Sequence, residues 1–161
     1  MSDRIAIMNN GRIVQLDKPV ELYESPANLF VADFIGQSNF LEGRVAETNG
    51  NRAVIATKEG LKVWVRMPTR METGEEISVA VRPEKIQVLA DEQDGPDEIV
   101  NRFTGRIEEI VYLGEAKIYR VGLAPNVIIE AKVQSAPGAQ KYDVGDKIVV
   151  GWQTRHGLAL K

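Results

Sequence analysis

The residues in this sequence that could do chemistry are few and badly spaced for it. There is one histidine, His156, and no cysteine. A lone histidine without thiolate neighbours is a poor metal ligand and reads as a turn or surface residue. A Ser-His-acid triad would have to use His156, yet no serine stands in a G-x-S-x-G turn. The carboxylates Asp91, Glu92, Asp94, Asp97 and Glu98 crowd one short run that invites calcium. Ala90 and Glu92 occupy positions where a calcium loop needs Asp or Asn before Asp94-Gly95. The run therefore reads as a solvated linker. No G-x-x-x-x-G-K-S/T loop occurs, and single glycines at turns give no run of backbone N–H groups to cradle phosphates. Phe40, Trp64, Tyr112, Tyr119 and Trp152 could serve as stacking platforms for single strands. With a net charge of −3 the chain lacks the basic balance of a nucleic-acid binder, and these rings read as core and rim packing. No catalytic, cofactor or metal site is expected within this chain.

What remains is a scaffold. The 161 residues suffice for one ordinary domain or two small ones. A chain of this length can bury about 70% of its unfolded surface. Hydrophobic residues at 43% and charged residues at 27% place it with globular proteins. The absence of cysteine excludes disulfides and fits a reducing compartment. No signal peptide and no apolar run long enough to span a membrane is present.

The opening segment predicts a β-hairpin. Arg4-Ile5-Ala6-Ile7-Met8 and Arg12-Ile13-Val14-Gln15-Leu16 are strands joined at Asn10-Gly11, a pair suited to the two positive φ angles of a type I′ turn. An isolated hairpin is marginal in water and wants a larger surface to lean on. Pro19 opens a short helix, with Asp17 or Lys18 at its boundary. Ser25 caps and Pro26 opens a second helix running to about Ile35. Phe30/Phe34 and Val31/Ile35 are placed on one face of it, and Gly36 ends it.

From Asn39 onward short β-branched strands follow one another, as in small barrels and sandwiches. They also repeat. NFLEGRV at 39–45 matches NRFTGRI at 101–107, and GEEISVAV at 74–81 matches GDKIVVGW at 145–152. The expected architecture is mainly β: two pseudo-repeated OB-like small barrels preceded by a hairpin and two short helices. The repeat halves are set at about 39–90 and 101–161, with 91–100 as linker.

Several stretches carry a family resemblance. SDRIAIMNNGRIVQ followed by Pro19 resembles the end of the nucleotide-binding domain of ABC-importer ATPases, although Asp17 stands where that family usually has glycine. ESPANLFVADFIGQSNFLEGRV resembles the passage into their C-terminal regulatory domain, VRPEKIQV the RPE signature of the transport-associated OB (TOBE) domain, and EEIVYLGEAKIYRVGL with VGDKIVVGW its second half. The compact FIGQSNFLEG is most similar to the polyamine (spermidine/putrescine) group, with iron and sulfonate importers as near neighbours.

The resemblance implies that residues 1–38 are the tail of an ATPase domain and 39–161 a TOBE/MOP-like regulatory domain. ATP and Mg would then belong to the parent ATPase, together with its phosphate loop and catalytic carboxylates. The implied partners are a second copy of the chain, membrane permease subunits reached through the ATPase domain, and a regulatory ligand or protein, but no nucleic acid. The implied location is peripheral, on the cytoplasmic face of a bacterial inner membrane. Arg82, Pro83 and Glu84 of the signature, with Gly43, Arg44, Gly105, Arg106 and Gly145 of the repeat, are expected to be structural. Ile5, Ile7, Ile13, Leu16, Phe30 and Phe34 are the expected interface, to be covered by dimerisation or by exchange of the first 38 residues. The alternatives are an ATPase subunit for sugars, iron or sulfonate, or a stand-alone small-ligand or oxyanion binder on the OB pair. The stand-alone reading requires backbone donors or Arg44, Arg82 and Arg106 to converge on one pocket. An OB-type nucleic-acid protein would instead show steep salt dependence.

Overall fold

The computed structural model describes residues 3–67, 70–123, 126–137 and 141–161. The hairpin forms as its turn residues demand: β1 (Ile5–Asn9) and β2 (Arg12–Asp17) pair antiparallel, with Asn10 at φ 53° and Gly11 at φ 78°. Among the described residues it is a two-stranded sheet that no other strand extends. Asn10 is the one non-glycine with positive φ among the described residues, so Asp17 replaces the family's glycine without left-handed backbone.

A bulge in β2 corrects the expected interface. Met8 pairs with Ile13 and Ala6 with Leu16, so these four side chains share one face, and Ile5 and Ile7 lie on the other. Ile7 is buried against Leu22 and Val31, with Val14 and Ile35 packed alongside. It therefore belongs to a small core and not to an interface. Met8, Ile13 and Leu16 are exposed.

Helix α1 (Pro19–Glu24) starts at its proline as expected. Helix α2 (Leu29–Ile35) starts later than expected, because Asn28 and not Ser25 is the cap: its side chain accepts a 3.0 Å bond from Val31 N–H. Val31 is buried while Phe30 and Phe34 face solvent and stack with centroids 6.0 Å apart, so the two i,i+4 pairs occupy adjoining stripes with opposite fates.

The remaining strands, in order, are β3 (Asn39–Asn49), β4 (Arg52–Thr57), β5 (Lys62–Arg66), β6 (Glu76–Val81), β7 (Gln87–Leu89), β8 (Asn101–Tyr112), β9 (Ala116–Leu123), β10 (Val127–Gln134), β11 (Lys147–Trp152) and β12 (Gly157–Leu160). They make two sheets. The first is a closed barrel ordered β12-β5-β4-β3-β6, and the second is a five-stranded sheet ordered β10-β9-β8-β11-β7. The second unit is a half-barrel: its edge strands β10 and β7 come close to each other but share no hydrogen-bonded ladder. One continuous core joins the two, with Val45, Ile55 and Val79 of the barrel and Ile107, Val121 and Ile148 of the sheet in the same cluster.

The halves exchange their last strands. β7 follows β6 of the barrel in sequence yet pairs with β11 of the second sheet. β12 follows β11 yet closes the barrel against β6 and β5. Residues 87–89 and 157–160 therefore sit across the boundaries drawn at 39–90 and 101–161. The 71-residue offset of the second repeat match carries on into this exchange: 3-10 turns occupy Pro83–Lys85 and Thr154–His156, each just before its crossing strand.

Two buried asparagines finish what the ladders leave open. Asn101, at the head of β8, accepts from Trp64 N–H at 2.8 Å and donates to Trp64 C=O at 2.9 Å, on β5 of the barrel. Asn39, at the head of β3, does the same to Glu130 on β10 of the second sheet, at 2.8 and 2.9 Å. Each side-chain amide takes the place of a neighbouring strand on an edge where backbone pairing is thin. β12 meets β5 at the single pair Leu158–Arg66. Asn101→Ala should leave the Trp64 donor and acceptor without partners and cost about 2 kcal/mol, read as a lowered denaturation midpoint. Asn101→Asp should cost more, because a carboxylate would face the Trp64 carbonyl.

The acidic run at 91–100 is better ordered than a linker needs to be. The Arg102 guanidinium gathers the carbonyls of Glu92, Asp94, Pro96 and Ile99. Ile99 is buried with Leu89 and Val149.

Candidate functional site

Arg82 is the centre of the seam between the N-terminal segment and the barrel. It directly follows β6, and only 8% of it is exposed. Its Nη1 donates to the Ala32 and Gln37 carbonyls at 3.2 and 3.1 Å, and its Nη2 to the Tyr23 carbonyl at 3.4 Å. The guanidinium carbon lies 4.3 Å from the centre of the Tyr23 ring, a cation–π contact. One side chain thus ties α1, α2 and the strand entry at Gln37 to the barrel. Burial lowers its pKa, and Glu24 opposes that shift. Gly36 ends α2 with extended backbone, not left-handed. Glycine leaves room there: a Cβ would lie 3.3 Å from both Arg82 Nη1 and the Tyr23 ring, and those side chains would have to give way slightly.

The other two signature residues differ in their surroundings. Pro83 is buried and opens the 3-10 turn, where its missing N–H costs nothing. Glu84 is exposed. The repeat residues Gly43-Arg44 and Gly105-Arg106 do matching work in the two units. Arg44 Nη1 donates to the Gly74 carbonyl at 3.0 Å, and Arg106 Nη1 to the Gly145 carbonyl at 3.1 Å. Gly74 and Gly145 take up positive φ of 94° and 93° at the turns before β6 and β11. Arg44, Arg82 and Arg106 line three different clefts, so they do not converge as the stand-alone oxyanion reading requires. Of the imagined stacking rings, Tyr119 and Trp152 are 1% exposed and belong to the core. No group of three or more metal-ligating side chains is gathered among the described residues. No helix of the described residues is long and apolar enough to cross a membrane.

Beside Arg82 lies a cleft of about 360 Å³ between residues 23–26 and the barrel end. Arg66, Lys85, Arg155 and His156 line it, with Glu24 at its other wall. Sequence reading singled out Arg82 and His156 but not their meeting. The missed residues, Arg66, Lys85 and Arg155, come from β5 and the two 3-10 turns, which only the strand exchange brings together. Asn39 and Asn101 were also missed as functional positions, although the repeat match held them in register.

The profile of the TOBE domain matches residues 79–160. The spermidine/putrescine import ATP-binding protein PotA of Rubrobacter xylanophilus is 42% identical over 162 residues, covering 99% of this chain and 41% of the relative. The protein of the same name from Chromobacterium violaceum is 37% identical, covering 99% of this chain and 44% of the relative. The chain therefore spans less than half the length of these curated relatives. In fold it is similar to the cytoplasmic molybdate-binding protein ModG, with a TM-score of 0.66 at 16% identity over 75% of this chain and 94% of that one. ModG shares the OB-like sheets and not a close sequence. The profile spans the signature arginine, the exchanged strands and the whole second sheet, and on that ground the chain belongs to the TOBE domain family.

Proposed function

We propose that this chain is the regulatory and coupling part of the ATP-binding subunit of an ABC importer, with polyamines such as spermidine and putrescine as the imported solutes. ATP and Mg are then handled by a nucleotide-binding domain to which residues 1–38 belong, on the cytoplasmic side of a bacterial membrane and against permease subunits. The observation that carries the reading is an apolar surface without a partner. Met8, Ile13 and Leu16 on the outer face of the hairpin, with Val20, Phe30 and Phe34 on the helices, are 56%, 60%, 50%, 67%, 38% and 66% exposed. Six large apolar side chains on one short segment are more than a monomer's surface needs. The names of the similar proteins, which align over 99% of this chain, support the same reading.

Regulation in this reading is by binding. A ligand or partner shifts the ATPase dimer only through different affinity for its open and closed states. The experiment is to read the coding region ahead of Met1, express the whole protein with its permease in vesicles and follow ATP turnover. We expect a phosphate loop some two hundred residues upstream and turnover stimulated by spermidine or putrescine. Stimulation by a sugar, iron or a sulfonate would replace the solute, and absence of any upstream nucleotide-binding domain would end the reading. For the chain alone, sedimentation should show self-association through the hairpin face. Ile13→Glu with Phe34→Glu should return it to monomer.

A further inference from the structure

We propose that the outer face of the second sheet is a docking site for an acidic peptide segment of a partner protein, one whose carboxylates follow an apolar side chain. Cross-strand pairing places Ile128, Gly122, Arg106 and Lys147 in one row across β10, β9, β8 and β11. Ile128, Arg106 and Lys147 are exposed, and all four residues line one cleft of about 550 Å³. The internal repeat supplies the comparison. The corresponding row of the barrel is Lys62, Ala56, Arg44 and Glu76 across β5, β4, β3 and β6. There Arg44 and Glu76 pair at 2.7 Å, and the charge is cancelled on the spot. In the second sheet Lys147 stands where the repeat has Glu76, directly opposite Arg106. Like charges that face each other across a ladder are destabilising. Among the described residues neither of these two cations has an ion-pair partner. A local rule broken at one copy of a repeated position, and kept at the other, points to a task at the first. The counter-charge that the barrel carries within itself is here left for a partner to bring.

The row also fixes the order of what it takes. Two cations at one end select carboxylates, and the exposed Ile128 at the other end takes an apolar side chain. Neighbouring strands lie about 4.8 Å apart, so along the row Ile128 is roughly 10 Å from Arg106 and roughly 14 Å from Lys147. In an extended chain every second residue faces the same way, at a spacing of about 7 Å. A peptide laid across the strands with an apolar residue over Ile128 thus sets its second and fourth following residues within reach of the two long cationic side chains. Gly122 leaves the path between them clear, where the barrel has Ala56. A Cβ on Gly122 would meet Glu108 Oε1 at 2.6 Å, so the Glu108 carboxylate lies over this glycine. An incoming peptide displaces it, and Glu108 therefore weakens docking. A free anion would use the cations and leave Ile128 idle. A second copy meeting this one face to face would bring two more cations and, from the cleft lining, only Glu108 as a carboxylate.

The test titrates the whole chain with the peptide acetyl-Leu-Thr-Glu-Thr-Glu-amide and follows backbone amide shifts by NMR. We expect saturable shifts at Gly105, Gly122 and Ile128. Lys147→Glu restores the barrel's arrangement in the second sheet. It should abolish the response while raising the denaturant midpoint, a combination that misfolding cannot give. Ile128→Ser should weaken binding roughly tenfold, and Glu108→Gln should tighten it. Lys58→Gln, on the barrel, should leave it unchanged. The same peptide with glutamines for its glutamates, or with serine for its leucine, should bind more weakly than the parent peptide. Absence of a saturable response, an equal response to the glutamine peptide, or a response that survives Lys147→Glu overturns the proposal. Acetate bound as tightly as the peptide would make the row a simple anion site and overturns it too. Shifts of Gly122 and Ile128 on dilution without peptide would place a second copy there, with the same consequence. The importer reading fails separately, by the absence of solute-stimulated ATP turnover, whatever the titration gives.

Discussion

Arg82→Ala should free the N-terminal segment while leaving the β unit folded. The substitution removes donors from three carbonyls and a cation from the Tyr23 face. Two of those carbonyls, Ala32 and Gln37, belong to the last turn of α2 and the residues just past it, where the helix dipole favours a positive charge. Hydrogen bonds from a charged donor contribute more than neutral ones, and an unpaired buried carbonyl carries its own penalty. A loss of about 3 kcal/mol at this seam is the expected scale. Among the described residues a small apolar patch also joins the segment to the barrel: Ala32 and Leu29 pack with Phe40, Ala80, Leu158 and Leu160, and Leu29 N–H reaches Lys161 C=O at 3.3 Å. Limited proteolysis should then cut within residues 18–38 much faster than in the unaltered chain. The near-ultraviolet signal of the buried Trp152 should persist. Arg82→Lys should not rescue the seam, because a compact ammonium cannot reach carbonyls on three segments and lie flat on a ring. Unchanged protease resistance in Arg82→Ala would show that packing alone holds the segment.

Much of this fold was legible in the residues because local rules agreed there. Asn10-Gly11 dictated its turn, Pro19 opened its helix, and the alternating runs became strands close to where they were drawn. The readings that failed did so for reasons of tertiary context. Ile7 and Ile13 look alike in an alternating pattern, yet the bulge in β2 turns them to opposite faces, and a bulge leaves no local mark in this sequence. Ser25-Pro26 is a sound capping signal, but Asn28 makes the bond that starts α2. The repeat was visible, whereas the exchange of its last strands was not. The short runs Gln87–Leu89 and Gly157–Leu160, each after a 3-10 turn, carry no residue that names a partner, and only the shared core decides which sheet each joins. For the same reason the cationic cleft could not be read ahead. Its lining comes from residues far apart in sequence, and the pairing that gathers them is long-range.

Gly43→Ala and Gly105→Ala test that shared geometry from the inside, and they should differ in a way the two sheets explain. Gly43 lies mid-ladder, facing Thr57 on β4 and Ile77 on β6. A Cβ there would run into the Ala56 carbonyl and lie 2.8 Å from Thr57 Cα. Both obstacles are backbone, and the barrel is closed, so β4 cannot move outward without straining its pairing with β5. Overpacking of this kind should cost about 3 kcal/mol. Gly105 holds the matching place, facing Leu123 on β9 and Ile148 on β11. Its Cβ would lie 2.7 Å from the Gly122 carbonyl, Leu123 Cδ2 and Val121 Cγ1. Two of those three atoms end side chains that can shift slightly within the core, and no hydrogen-bonded ladder closes the sheet between β10 and β7. Spreading of β9 and β10 should therefore absorb part of the clash, at a cost of about 1–2 kcal/mol. Denaturant unfolding of the two variants measures the difference directly. A Gly105→Ala variant as unstable as Gly43→Ala would mean that the second sheet resists opening as a closed barrel does.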